Sequence, residues 1–274
     1  METFKFSEEL GIFVVELANK LRELLKQNKS TIGTHLSSTW PSLWEHVGTT
    51  GQMDYIEFGS QYGAWDLYDF DNMCRAAELT NLSTMIKIDR HPKDWIAQRA
   101  IAAGFQSILF ADCMSVEEVK DCVRAVRLPP EGVNGYLGTR GIPVADYVQH
   151  IEDIVIAVMI EKQSLMNKLA DVLTIDGLDM IQFGPTDYGI TIRTPGKPYK
   201  AADYREKINA DRDKAHQMAI DAGVHPRAEC SSAEECKYYI DRGVRHFCIG
   251  WDTRMVSDWC MQNGKKLREM LAKK

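Results

Sequence analysis

Residues 154–187 read IVIAVMIEKQSLMNKLADVLTIDGLDMIQFGPTD, a pattern of strand, helix, strand and turn. Residues 154–160 are a short, apolar, β-branched run of the kind buried on both faces of a parallel sheet. The run stops at Glu161. Ser164 is placed to cap a helix whose apolar positions Leu165, Leu169, Val172 and Leu173 recur at helical spacing, and Gly177 ends it. A second apolar run, 178–183, leads into Gly184, Pro185, Thr186 and Asp187. Each strand thus delivers a carboxylate at or just past its C-terminal end, the edge where parallel α/β folds bind ligands. Two carboxylates on neighbouring strand ends make a hard, oxygen-rich seat for a divalent cation that keeps several waters. The same residues also suit plainer work: a strand-end Glu as an ion-pair partner, an Asp after Gly-Pro as a turn or helix cap.

Working outward, the unit repeats. Strands are expected at 31–36, 54–58, 83–88 and 105–110 before the two above, and at 225–228 and 246–250 after them. Helical patterns separate them, among them one at 115–127 in which Ser115 and Glu118 form a capping box. Eight strand–helix pairs without a linker or compositional break predict one (β/α)8 TIM barrel over residues 1–274, a length near the ~250 residues such a barrel needs. An additional amphipathic helix is expected within 1–30, with Leu10, Phe13, Val14, Leu17, Leu21 and Leu24 on one side over 6–27, to plug or flank the barrel bottom. A last helix spans 253–274. The nearest rival, an open doubly wound sheet, lacks the glycine fingerprint expected after its first strand.

Composition narrows the function. A net charge of −6 without a basic stripe argues against a nucleic-acid partner. No apolar run approaches the ~20 residues of a membrane span, and METFKFSEELG does not resemble a secretion signal. Seven cysteines, scattered and without a CxxC pair, fit buried free thiols in a reducing cytoplasm better than disulfides or zinc. In a barrel the strand ends face one cavity, which gathers His35, Gln61, Tyr62, Lys87, Asp112, Glu161, Thr186, Asp187, Glu229 and Trp251. A cation on Glu161 and Asp187 would polarise an oxygen-bearing substrate, and Lys87 would hold a carboxylate or oxo group. That combination suits chemistry through an enolate.

Glu161 in VMIE, the helix after it, and GLDMIQFGPTDYG at 177–189 resemble the HpcH/HpaI aldolase and citrate lyase β-subunit family, the metal-dependent (class II) pyruvate aldolases. The resemblance extends over about 32–251 and takes in MDYIEFG, AAGFQSILF, AVRLPPEG and GVRHFCIGWDT in the family's order. It implies a (β/α)8 barrel, a homohexamer or trimer whose last helix is exchanged between neighbours, and Mg²⁺, Mn²⁺ or Co²⁺ on Glu161 and Asp187. It further implies a 2-oxo acid and an aldehyde as small-molecule partners, with backbone N–H groups around Thr186 and Asp187 receiving the carboxylate between Gly184, Pro185, Gln61 and Trp251. The implied reaction is reversible cleavage of a 4-hydroxy-2-oxo acid to pyruvate and an aldehyde.

The chain departs from that family inside the pocket. Where relatives carry a DGEH-like stretch, residues 59–62 are Gly59, Ser60, Gln61 and Tyr62. The histidine that assists proton transfer is replaced by Tyr62, the family arginine of the next strand by Lys87, and a frequent aromatic residue by His35. Lys87, Tyr62 and His35 are therefore the catalytic candidates. Tyr62, with an ordinary pKa near 10, suits an acid and His35 a base, although an aromatic wall and a pocket-lining ring serve equally as readings. The alternatives are the same metal-enolate site in a decarboxylase or hydratase, or a non-catalytic barrel that binds a 2-oxo acid.

Overall fold

Two short strands open the chain, β1 (Phe4–Ser7) and β2 (Ile12–Val15), paired antiparallel. The computed structural model describes residues 4–7, 12–15, 19–136 and 138–272. The next strands are β3 (Thr31–Leu36), β4 (Tyr55–Gly59), β5 (Ser83–Ile88), β6 (Ser107–Phe110), β7 (Val155–Ile160), β8 (Met180–Phe183), β9 (His225–Cys230) and β10 (His246–Trp251). They run parallel, each beside its sequence neighbour, and the barrel closes where β10 pairs with β3. The fold is the expected (β/α)8 barrel.

Strand alternation explains why the sequence runs look apolar throughout. Alternate residues point inward and outward. Ile56, Phe58, Ile86, Ile108, Phe110, Ile156, Val158 and Ile181 belong to the layer between strands and helices. Tyr55, Met85, Leu109, Val155, Ala157, Met159 and Met180 fill the cylinder itself. Leu21 and Leu25 join that inner cluster from a helix at Lys20–Lys26, so this helix plugs the bottom of the barrel. Three polar clamps fix it there. Asn19 Nδ2 donates to the carbonyls of Gln106 and Asp153, both at 2.8 Å. Arg22 grips Asp179 with an Nη2–Oδ2 distance of 2.7 Å, and the Leu21 N–H donates to Ser83 Oγ.

Three local expectations are corrected. The N-terminal helix over 6–27 is confined to Lys20–Lys26, because Asn19 caps it by accepting from the Arg22 N–H, and Phe13 and Val14 lie in β2. A β-branched, aromatic run such as Ile12–Val15 prefers the extended backbone. Leu10 and Leu17 lie outside the described residues. The helix after β7 is two single turns, Gln163–Met166 and Leu169–Val172, and Ser164 lies inside the first. Its hydroxyl donates to the Met114 carbonyl at 2.7 Å instead of capping. Ser115 does cap its helix, but the Glu118 carboxylate turns to Arg90 and the Met114 N–H, so only half of the capping box forms.

The last helix, Asp252–Ala272, leaves the barrel rim with its side chains exposed beyond Asp252. Among the described residues no helix is long and apolar enough to cross a membrane. All seven cysteines are free; six are buried and Cys260 is exposed.

Candidate active site at the C-terminal mouth of the barrel

Each functional side chain sits where its strand ends. Ile160 pairs with Phe183 across β7 and β8, so Glu161 and Gly184 emerge side by side. Gly184 and Pro185 then turn the chain into a short helix, Pro185–Thr191, which carries Asp187 in its first turn. Close approach needs the glycine, since a Cβ at 184 would stand 2.8 Å from both Cβ and Oε2 of Glu161. Glu161, Asp187, Lys87, Tyr62, Gly184, Pro185, Thr186 and Trp251 line one cavity of about 400 Å³. His35 and Gln61 line a smaller cleft of about 290 Å³ that shares Tyr62, Lys87, Glu229 and Trp251 with it. His35, Gln61, Tyr62, Lys87, Glu161, Thr186, Asp187, Glu229 and Trp251 therefore face one of two adjoining spaces, whereas Asp112 lines neither and meets Glu161 through its backbone N–H.

Glu161 is 2% exposed, and its Oε1 accepts from the Asp112 N–H at 2.7 Å. Burial pushes its carboxyl pKa above the ordinary range, as do the neighbouring carboxylates of Asp112 and Asp187. The Asp112 N–H and the Lys87 ammonium act in the opposite sense. Asp112 adopts φ +59°, a left-handed backbone that aspartate tolerates better than most residues, and this aims its N–H at Glu161. Its own carboxylate is held by Lys162 at 2.5 Å and by the Gln61 amide at 3.2 Å. Gln61 thus spends its donor on Asp112.

Tyr62 is 79% exposed at the rim. Partial cover at the mouth raises its pKa; Lys87 works against that rise, and the carboxylates of Asp187, Asp112 and Glu161 add to it. The phenol is an acid at neutral pH. His35, by contrast, is buried beneath Trp251, whose ring stacks on the imidazole at 4.4 Å and 28° and whose Nε1 donates to Ser37 Oγ at 2.6 Å. Arg90, two residues past the end of β5, is an exposed partner of Glu118 and lines neither space. Four polar residues escaped sequence reading: Gln182, whose amide donates to Glu229 at 2.9 Å, Lys162, and the buried pair Glu57 and Arg227. The available signal was a charge in the middle of each of two buried strands.

The donor set fits a cation of the Mg²⁺ type. Such ions take one or two carboxylates and fill their remaining positions with water and substrate oxygens. Among the described residues no group of three or more His, Cys, Asp or Glu side chains could close a complete protein cage. A buried carboxylate with a raised pKa beside a second one is a site that a divalent cation would neutralise.

Residues 33–256 match the HpcH/HpaI aldolase/citrate lyase family. A hydroxypyruvate/pyruvate aldolase of Roseovarius nubinhibens is 26% identical over 256 residues, covering 91% of this chain and 97% of that protein. A 4-hydroxy-2-oxo-heptane-1,7-dioate aldolase of Shigella sonnei is 25% identical over 166 residues, 58% of this chain; the match spans 62% of that relative's length. In fold, the crystal structure of the citrate synthase SbnG superposes with a TM-score of 0.81 at 20% identity, covering 92% of this chain and 99% of that one.

Proposed function

Because the chain belongs to the HpcH/HpaI aldolase/citrate lyase family, we propose that it is a divalent-metal-dependent carbon–carbon lyase acting on 4-hydroxy-2-oxo acids through the pyruvate enolate. One observation carries the reading: two carboxylates from adjacent strand ends, Glu161 buried and Asp187 exposed, line one cavity together with the strand-end ammonium of Lys87. Bound there by Glu161 and Asp187, Mg²⁺, Mn²⁺ or Co²⁺ would supply Lewis acidity toward the oxo acid.

The chain's own groups have the remaining tasks. Lys87 neutralises and orients a substrate oxygen. The N–H groups of Thr186 and Asp187, at the turn made by Gly184 and Pro185, receive the carboxylate. Trp251 walls the aldehyde side, and Gln61 steadies Asp112 and through it Glu161. His35 moves the proton, and Tyr62, whose raised pKa keeps its phenol protonated, serves as a hydrogen-bond donor at the rim.

Protein stripped with EDTA should exchange pyruvate methyl protons in D₂O only after Mn²⁺ is restored, and should add the resulting carbanion equivalent to a short aldehyde. Exchange without aldehyde chemistry would instead favour a decarboxylase or hydratase on a 2-oxo or dicarboxylic acid. The replacements at Gly59, Gln61, Tyr62 and Lys87 are what support that second reading. Protein that binds no metal and exchanges no proton would reduce the site to a 2-oxo-acid binding barrel.

The assembly belongs to the same proposal. The helix Asp252–Ala272 exposes Val256 (64%), Trp259 (67%), Leu267 (56%), Met270 (59%) and Leu271 (62%) on one face, while Ile32 on β3 is 39% exposed. An apolar face that large is covered in a trimer or hexamer when neighbours exchange this helix. Sedimentation should give a trimer or hexamer, and a monomer at micromolar concentration would refute the exchange. A reducing compartment such as the cytoplasm accords with the buried free thiols.

A further inference from the structure

Among the described residues one ion pair inside the barrel is buried completely on both sides. Glu57 on β4 is 0% exposed and Arg227 on β9 is 1% exposed, and Arg227 Nη2 donates to Glu57 Oε2. Burying such a pair costs several kcal/mol, and two apolar side chains of the same volume would hold the barrel at least as well. Its retention asks for a use. Glu57 is the cross-strand partner of His35. The second carboxylate oxygen, Oε1, lies 3.2 Å from His35 Nδ1, an ion-pair contact short of hydrogen-bond alignment, and among the described residues neither atom has a hydrogen-bond partner.

We propose that Glu57, clamped by Arg227, is a positioning residue that holds His35 by its Nδ1 edge and leaves Nε2 as the proton-accepting nitrogen of the site. The inference rests on the proton-transfer role given to His35 above and adds the device that makes the ring competent. Burial opposes the charge of Glu57, but Arg227 and then His35 hold its carboxyl well below the ordinary range, so Oε1 is an anionic acceptor that selects the Nδ1–H tautomer. The Nε2 edge lies over Gly59, where a Cβ would stand 2.5 Å from it. His35 therefore fills the space that the glycine at 59 vacates, and the two replacements are sterically one. Trp251 fixes the plane of the ring from the other side. Nε2 itself is buried and has no hydrogen-bond partner among the described residues, and the ring lines the smaller cleft.

In the cleavage direction Nε2 takes the proton of the substrate's 4-hydroxyl. The O–H electron pair becomes the aldehyde carbonyl, and the C3–C4 pair passes to the pyruvate enolate. The imidazolium, neutralised by Glu57, then returns the same proton to C3. No proton is gained or lost overall.

With Mn²⁺ and pyruvate, His35→Asn should lower kcat for methyl-proton exchange by about 100-fold. Glu57→Gln should lower it by about 10- to 100-fold with KM within about twofold of native. The double variant should be no slower than His35→Asn within about twofold, because Glu57 acts only through that ring. Independent, multiplying losses would overturn the proposal. Glu57→Gln strands a buried guanidinium, so Glu57→Leu combined with Arg227→Met, which removes both charges together, guards against unfolding. That variant should fold and show the same kcat loss; native kcat would make the pair merely structural. A ¹⁵N-histidine spectrum decides without any reaction, the His35 signal being the one of seven histidines that His35→Asn removes. The native ring should be the Nδ1–H tautomer, and an Nε2–H tautomer would overturn the proposal. Undiminished exchange by His35→Asn would overturn the proton role of His35 with it, whereas a slow His35→Asn beside unimpaired Glu57 variants removes only the positioning role.

Discussion

Glu161→Gln is expected to lower kcat by at least about 10³-fold and, at the same time, to raise the melting temperature of the metal-free protein. Both effects have one cause. Glu161 is buried near Asp112 and Asp187, and burial first, then those charges, raise its pKa. A carboxyl whose folded pKa exceeds its unfolded value keeps its proton longer in the native state. Stability therefore falls as pH rises from the ordinary carboxylate value to the raised one, and stays lower above it. Glutamine removes that loss, and its Oε1 can still accept from the Asp112 N–H. Gains of about 2–4 °C per kcal/mol are the scale for a domain of nearly this size. Thermal melts of the stripped proteins should show the variant's advantage at neutral pH and little advantage below the ordinary carboxylate range. Mn²⁺ should then reverse the ranking, because ligand at ~100 times Kd stabilises the native enzyme by about 2.7 kcal/mol and leaves the variant unchanged. Equal stabilisation of both proteins by Mn²⁺ would remove Glu161 from the metal site.

Gly184→Ala should cost about 100-fold in kcat/KM and at least about tenfold in Mn²⁺ affinity, with only about 1–3 kcal/mol lost in stability. Space, not backbone freedom, is the reason. Gly184 has φ −98°, a value open to any residue, but a methyl group there meets Glu161 Cβ and Oε2 at 2.8 Å and Met159 Cε at 3.0 Å. The Met159 methyl can swing aside. The Glu161 Cβ is anchored to β7, so the strand ends must part and the two carboxylates separate with them. Titration of Mn²⁺ by calorimetry on the folded variant measures this directly. Native affinity would mean that the gap between β7 and β8 does not set the spacing of the site.

Strand positions were legible because both faces of each barrel strand are buried. Residues 154–160 and 178–183 stood out as apolar runs, and observed Val155–Ile160 and Met180–Phe183 agree within two residues. The N-terminal helix was misread because Phe13 and Val14 fit a helical apolar face as well as an extended one, and spacing alone could not weigh the Asn19 cap against continuation. Glu118 illustrates a similar limit: its side chain could complete a local box, but Arg90, 28 residues earlier, competes for it across the fold.

By itself the sequence determined the eightfold alternation, the two strand-end carboxylates Glu161 and Asp187, and the set of residues at the mouth, because continuous apolar runs and the residues that end them are local properties. Only the tertiary structure decided which groups meet across the cylinder. It set Gln61 on Asp112, seated His35 in the space above Gly59, and joined Glu57 to Arg227 over 170 residues. Closure of β10 onto β3 is what brings such distant side chains together, and no spacing along the chain encodes the distance across a barrel.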